Sequence, residues 1–143
     1  MDLRQITETY AVAPQIEPGD MAALAEKGVT TVICNRPDGE NPPPLQAAAM
    51  QAAAEAAGLG FVYNPVVGGQ LTLDNVEEQA DAIDGAGGPV LAYCASGNRS
   101  TIVWALGQAG ERPTDEIISL GEKWGYKLEW LRPQIEALAA QKG

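Results

Sequence analysis

The sequence predicts an α/β fold, a mostly parallel sheet of about four or five strands with helices on both faces. Three features carry that expectation. Val29 to Cys34 is a continuous β-branched run, and runs of strand type recur at Gly60 to Val67 and Val90 to Tyr93. A continuous apolar run of this kind reads as a strand buried on both faces. Segments with helical spacing separate the runs, opened by proline and acidic residues and closed by glycine. The run from Pro89 to Tyr93 then turns through a small glycine-containing loop into Ser100 to Leu106. Strand, loop and helix in that order make half of a βαβ unit.

The chain has 143 residues, enough for one domain spanning 1–143 with a full core. Hydrophobic residues make up 45% and charged residues 20%, as in ordinary globular proteins. No apolar run is long enough to span a bilayer. Met1 to Gln5 has no signal-peptide character. Two cysteines do not make a disulfide scaffold, so a reducing, cytoplasmic setting is expected. The net charge of −10 argues against nucleic acid or an anionic membrane as partner. A small anionic substrate drawn to one local positive cradle fits that charge better. The chain contains no histidine, which removes Ser-His and Cys-His pairs and the usual zinc sites. No metal or cofactor is expected.

Ile6 to Ala13 reads as a first strand or short hairpin at the sheet edge. Glu17-Pro18-Gly19-Asp20 opens a helix carrying Met21, Leu24 and Ala25 on one face, closed by Gly28. After the strand Val29 to Cys34, residues Asn35 to Pro44 form a loop at its carboxyl end, where ligand sites of open α/β sheets lie. Arg36, Asp38 and Glu40 are therefore able to approach the site, or to sit in a solvated turn. An alanine-rich helix follows from Pro44 to Ala57, then a third strand from Gly60 to Val67. Thr72 caps the next helix, whose apolar face holds Leu73, Val76, Ala80 and Ile83. Asp74 lies in its first turn and suits the helix dipole. Thr114 caps a further helix containing Ile117, Ile118 and Leu120, broken at Gly125-Tyr126. Leu128, Leu131, Ile135 and Leu138 form a last amphipathic segment, with Pro133 starting or kinking it. Trp124 and Trp130 read as core anchors.

The chemistry is expected in Cys94-Ala95-Ser96-Gly97-Asn98-Arg99-Ser100. A loop between a strand and a helix N-terminus presents unpaired N–H groups and a partial positive charge. It can curl Ala95, Ser96, Gly97 and Asn98 around an anion. A helix N-terminus and a guanidinium together lower a cysteine pKa to about 3.5–7.5, which favours a Cys94 thiolate. Arg99 offers a planar fork for an oxyanion. The Ser100 hydroxyl can donate to the Cys94 sulfur or cap the helix. Gly97 permits the tight turn. A buried structural cysteine with a surface arginine is the simpler alternative, but cysteine, glycine, arginine and serine all fall where a cradle needs them.

This loop resembles the active sites of two enzyme groups. Cysteine-dependent phosphatases place five residues between Cys and Arg, usually with His before the Cys; rhodanese-type sulfurtransferases use a shorter loop. Here four residues lie between Cys94 and Arg99, and Tyr93 precedes the cysteine. The wider pattern is similar to a bacterial family with a dual-specificity-phosphatase-like fold and a rhodanese-length loop, variously labelled phosphatase, sulfurtransferase or beta-lactamase hydrolase-like. The residues that carry it include Gln15 to Gly28, Val32 to Glu40, Ala57-Gly58-Leu59, Asn64-Pro65-Val66, Trp104-Ala105-Leu106 and Gly125-Tyr126.

The resemblance implies a cysteine-phosphatase-like sheet and transfer chemistry at Cys94. Sulfane-sulfur transfer from thiosulfate or a small persulfide to a thiol acceptor is the expected reaction. Hydrolysis of a phosphate ester and anion binding without turnover are the alternatives. Where phosphatases of similar fold hold an aspartic general acid, this chain has Gly68-Gly69-Gln70. Sulfite and thiolates leave without such an acid, whereas acid catalysis is often worth roughly 10²–10⁴ in rate to an alkoxide. Ala95, in place of a second arginine common in rhodanese loops, weakens the sulfur reading. The resemblance also raises Cys34 as a partner for Cys94, because some phosphatases of this type keep a second cysteine in a similar place. The alternative is that Cys34 is a small buried hydrophobe.

Overall fold

In a computed structural model, which describes residues 1–142, the chain forms a five-stranded sheet. Strands β1 (Arg4–Gln5) and β2 (Tyr10–Ala13) form a hairpin. Strands β3 (Thr31–Cys34), β4 (Gly60–Tyr63) and β5 (Val90–Tyr93) complete the order β1-β2-β5-β3-β4. Every neighbouring pair except the first is parallel. β5 is thus the centre strand, and β2, β3 and β5 are buried along their whole length. Parallel strands need crossovers, and helices supply them. The expected mostly parallel sheet is the observed one.

Side chains alternate across the strands, so each contributes to two cores. On one face Ala11, Val32, Leu91 and Tyr93 pack with Met21 and Leu24 of α1 (Met21–Glu26) and Met50 and Ala54 of α2 (Ala47–Ala56). On the other face Val12, Ile33 and Ala92 pack against four helices. These are α3 (Leu73–Gly85), α4 (Asn98–Gly107), α5 (Thr114–Glu122) and α6 (Arg132–Lys142). Val76, Trp104, Ile117 and Ile135 are their buried anchors. All four parallel strands end at the same edge, and the loops that follow them converge there.

Several boundaries differ from expectation for identifiable reasons. α2 begins at Ala47 rather than Pro44, because Pro43 and Pro44 are held in a tight 3₁₀ turn that suits residues without an N–H. β4 ends at Tyr63, since Asn64 turns its side-chain amide onto the Asn75 carbonyl of α3 and the Val66 N–H bonds Asn35 O instead of extending the ladder. Thr114 is the first residue of α5 and makes no side-chain cap. Leu73, expected on the buried face of α3, is 61% exposed. Trp124 and Trp130, expected in the core, are 38% and 59% exposed, and Trp104 is the buried indole. The exposed pair satisfy their ring N–H groups on the Gln5 and Lys127 carbonyls at the surface, as suits amphipathic rings. No helix among the described residues is long and apolar enough to cross a membrane.

Candidate active site

Cys94 follows the last residue of the centre strand and Gly97 is the N-cap of α4, so the loop lies directly over a helix N-terminus. Cys94 is 1% exposed. The Gly97 N–H donates to its sulfur at 3.1 Å. The cause of that contact lies at the other end of the same peptide plane. The Ser96 carbonyl accepts from the Tyr126 hydroxyl at 2.9 Å, with Arg4 Nη1 at 3.4 Å. A trans peptide directs its N–H opposite its C=O. Anchoring the Ser96 oxygen outward therefore turns the Gly97 N–H inward onto Cys94. Arg4 also donates to the Tyr126 hydroxyl at 2.6 Å. Gly97 has φ +91°, and a Cβ there would collide with the Tyr126 hydroxyl, so glycine is required for two separate reasons. The amides of Ala95, Ser96, Arg99 and Ser100 bond no other group among the described residues. Asn98 N–H is taken by Ser96 Oγ at 3.3 Å. Of the four residues expected to line an anion cradle, Ala95 and Ser96 keep their amides unbonded, Gly97 gives its N–H to Cys94 and Asn98 gives its N–H to Ser96.

Arg99 reaches across the strand ends. Its Nη1 and Nη2 each donate to a Glu40 carboxylate oxygen at 2.8 Å, and Nη1 also donates to Val66 O at 2.9 Å. Glu40 raises the Arg99 guanidinium further above its already high range, and the neighbouring Cys94 side chain adds to that shift. In return Arg99 holds Glu40 below the ordinary carboxylate range, assisted by Arg36 at 3.3 Å. A guanidinium has five N–H donors. Glu40 and Val66 occupy three, which leaves Nε–H and one Nη2–H. Those two lie on one edge and point the same way, so Arg99 retains a complete fork for one anion.

The other candidates separate into near and far. Asp38 does not face the cradle: its carboxylate accepts the Ala47 N–H at 2.7 Å, at the start of α2. Asp74 is exposed in the first turn of α3, behind the reciprocal Thr72–Asn75 cap. Arg36 binds Glu40 and Gln15 rather than projecting toward Cys94. Ser100 neither caps α4 nor bonds Cys94. It is the third residue of the helix, and its buried hydroxyl has no partner among the described residues. Thr101 Oγ1 takes the Gly97 carbonyl instead, at 2.8 Å. Cys34 lies opposite Tyr93 in the β3–β5 register, one position short of Cys94, and both thiols are free. Burial pushes the Cys34 thiol up, and its hydrogen goes to the Arg36 carbonyl at 3.3 Å. No cluster of metal-ligating side chains occurs among the described residues.

Sequence reasoning did not single out Tyr126, Arg4 or the Val66 carbonyl as parts of the site. Nor did it find the buried amides Asn35, Asn64 and Gln79. The available signal was Gln79 itself, a polar residue on the apolar stripe of Val76, Ala80 and Ile83.

A parallel sheet whose centre strand delivers a cysteine onto a helix N-terminus, with an arginine in the first helical turn, defines the class of cysteine-phosphatase-like α/β domains. Residues 2–111 match the family model described as "Beta-lactamase hydrolase-like protein, phosphatase-like domain", and the chain belongs to that family. It is 34% identical over 140 residues to the "Beta-lactamase hydrolase-like protein" of Xylella fastidiosa, covering 94% of this chain and 32% of the relative. It therefore spans about a third of the length of the curated relatives it matches. A solved structure from Neisseria meningitidis Z2491, named as a candidate phosphatase, superimposes with a TM-score of 0.81 at 34% identity. That match covers 96% of this chain and 99% of that one. Tk-PTP in its active form shares the fold at a TM-score of 0.76 and 16% identity, covering 99% of this chain and 97% of that one. A Cys-to-Ser variant of P. aeruginosa TpbA in complex with phosphotyrosine does so at 0.68 and 16%, covering 97% and 88%.

Proposed function

We propose that this chain is a cysteine-dependent phosphatase acting on a small phosphate ester, with Cys94 as nucleophile. The observation that carries the reading is the Gly97 N–H held on the Cys94 sulfur at 3.1 Å, beside two loop amides and two in the first turn of α4 that are free to donate to oxygens. The Cys94 thiolate attacks phosphorus, a P–S bond forms, the ester P–O bond breaks, and the oxygen leaving group departs with the bonding pair and takes a proton from water. Water then attacks the phosphocysteine, releasing inorganic phosphate and restoring the thiolate. The loop amides and the free edge of Arg99 hold the phosphoryl oxygens through both steps. The family description and the fold shared with TpbA, whose variant binds phosphotyrosine, support this reading over sulfur transfer. A cleft of about 300 Å³ lined by Val66, Val67, Arg99, Ile102 and Trp130 suits a small substrate with an apolar substituent.

One observation favours the second reading, sulfane-sulfur transfer through a Cys94 persulfide. Glu40 is already committed to Arg99, and Asp38, turned away from the cradle, to the α2 amide. An ester with a poor leaving group therefore lacks an obvious proton donor, whereas sulfite needs none.

The deciding experiment runs one preparation against an aryl phosphate, a phosphotyrosine peptide, thiosulfate and glutathione persulfide, and records the intact mass. Phosphate release that is lost in Cys94→Ser, with no sulfur adduct, supports the phosphatase. A mass gain of one sulfur atom on Cys94, with faster turnover of the sulfur donors, reverses the choice. No turnover of either class leaves an anion-binding module.

A further inference from the structure

At the strand ends, beneath the loops that flank Cys94, lies a set of fully buried amides. Gln79, in the middle of α3, is 0% exposed, as are Asn35 and Asn64. Gln79 Nε2 donates to the Tyr10 hydroxyl at 3.0 Å and to Asn35 Oδ1 at 3.1 Å. Its Oε1 accepts from Asn35 Nδ2 at 2.8 Å and from Asn64 Nδ2 at 2.9 Å. Those four bonds use the whole capacity of a side-chain amide.

The network leads to Arg99 from two sides. On the first, Asn35 O accepts the Val66 N–H at 2.9 Å, and Val66 O accepts from Arg99 Nη1 at 2.9 Å. The loop that begins at Asn35 also carries Glu40, the other partner of the Arg99 tip. On the second, the Tyr10 hydroxyl donates to the Ser100 carbonyl at 2.7 Å, in the helical turn from which Arg99 springs. Tyr10 is fixed there by stacking on Trp104 at 5.9 Å. Among the described residues, Gln79 is the one side chain that bonds both arms.

We infer that Gln79 is a positioning residue, which sets the direction of the Arg99 fork by holding Asn35 and Tyr10 in register. Stability alone does not require it, since a buried polar network rarely outperforms a well-packed apolar one of the same shape. Fixing a planar fork does require it, because two parallel donors tolerate little rotation. The inference rests on the cradle reading of Cys94 to Ser100, but its test does not need turnover.

The probe is inorganic phosphate, and the readout is the protection it gives Cys94 against iodoacetamide on the full chain, from which Kd follows. Gln79→Leu should remain folded, with a cooperative melt, and raise Kd by about tenfold. If the effect passes through Arg99, the same change in an Arg99→Lys background should add less than about twofold. Tyr10→Phe cuts only the Ser100 arm and should raise Kd by about threefold; it decides the matter if the leucine variant does not fold. An unchanged Kd in a folded Gln79→Leu, or in Tyr10→Phe when the leucine variant does not fold, overturns the assignment. So does an effect fully additive with Arg99→Lys. Phosphate that fails to protect Cys94 in the unaltered protein overturns the cradle reading, and this inference with it.

Discussion

Glu40 is the residue whose role changed most between sequence and structure. Its carboxylate takes the end of the Arg99 guanidinium and leaves the Nε edge unbonded. Arg99, then Arg36, keeps its carboxyl below the ordinary value of 4.5. A depressed carboxylate contributes stability above its unfolded pKa and loses it as pH falls through its folded one. Glu40→Gln should therefore be less stable than the unaltered protein at neutral pH, by no more than about 1 kcal/mol given the exposure of the pair. The difference should close as melts are repeated at pH values below the ordinary carboxylate range, and persistence of the full gap in acid would refute the ion-pair account. The two thiols make a second test. Burial raises the Cys34 thiol, so a native Cys94→Ser variant should resist alkylation at neutral pH and gain one adduct only when denatured. Prompt labelling of Cys34 in the folded variant would contradict its placement.

At the scale of elements, the Cys94–Ser100 loop was legible because its residue types are each tied to a local requirement. Gly97 has to adopt positive φ, and a strand followed by a helix has to pass its loop over a helix N-terminus. What supports the loop was not legible, because it arrives from distant elements: Tyr126 from beyond α5, Arg4 from β1, Gln79 from α3. Local pattern also misplaced Leu73, Trp124 and Trp130, since helical spacing names a face without saying how far the neighbouring element extends over it. The early end of β4 and the late start of α2 have the same origin, in bonds to Asn35, Asn75 and a 3₁₀ turn. The loop geometry makes its own prediction. Gly97→Ala adds a left-handed alanine, costing about 1–2 kcal/mol, and forces the Tyr126 hydroxyl away from Ser96. Urea melts should show a loss larger than the backbone cost alone. Tyr126→Phe added to Gly97→Ala should recover part of the stability. Affinity for phosphate should stay low, because the Ser96 carbonyl has then lost its anchor. Full recovery of both would mean that the Ser96–Gly97 peptide does not depend on Tyr126.

Across the whole molecule, the two cores are separated by the sheet yet built from the same three strands. Leu91 points into the α1–α2 core and its neighbours Val90 and Ala92 into the α3–α6 core. The buried Trp104 belongs to the second core, and the exposed indoles Trp124 and Trp130 lie in segments bordering α5 and α6. Tryptophan fluorescence therefore reports one face of the sheet, whereas far-UV circular dichroism reports the whole chain. Leu91 is 0% exposed, and Leu91→Ala removes a side chain from the face without tryptophan, at a cost of about 2–5 kcal/mol. If the faces fold as one unit, both signals should shift to the same lower midpoint with unchanged slope. A shift in circular dichroism without a matching shift in fluorescence would mean that the α1–α2 layer opens separately. The distinction matters for the site. Cys94 and Arg99 follow the centre strand, but Glu40 sits on the loop that leads into α2. A separately opening layer would withdraw Glu40 from Arg99 and loosen the fork well below the temperature at which the rest of the chain unfolds.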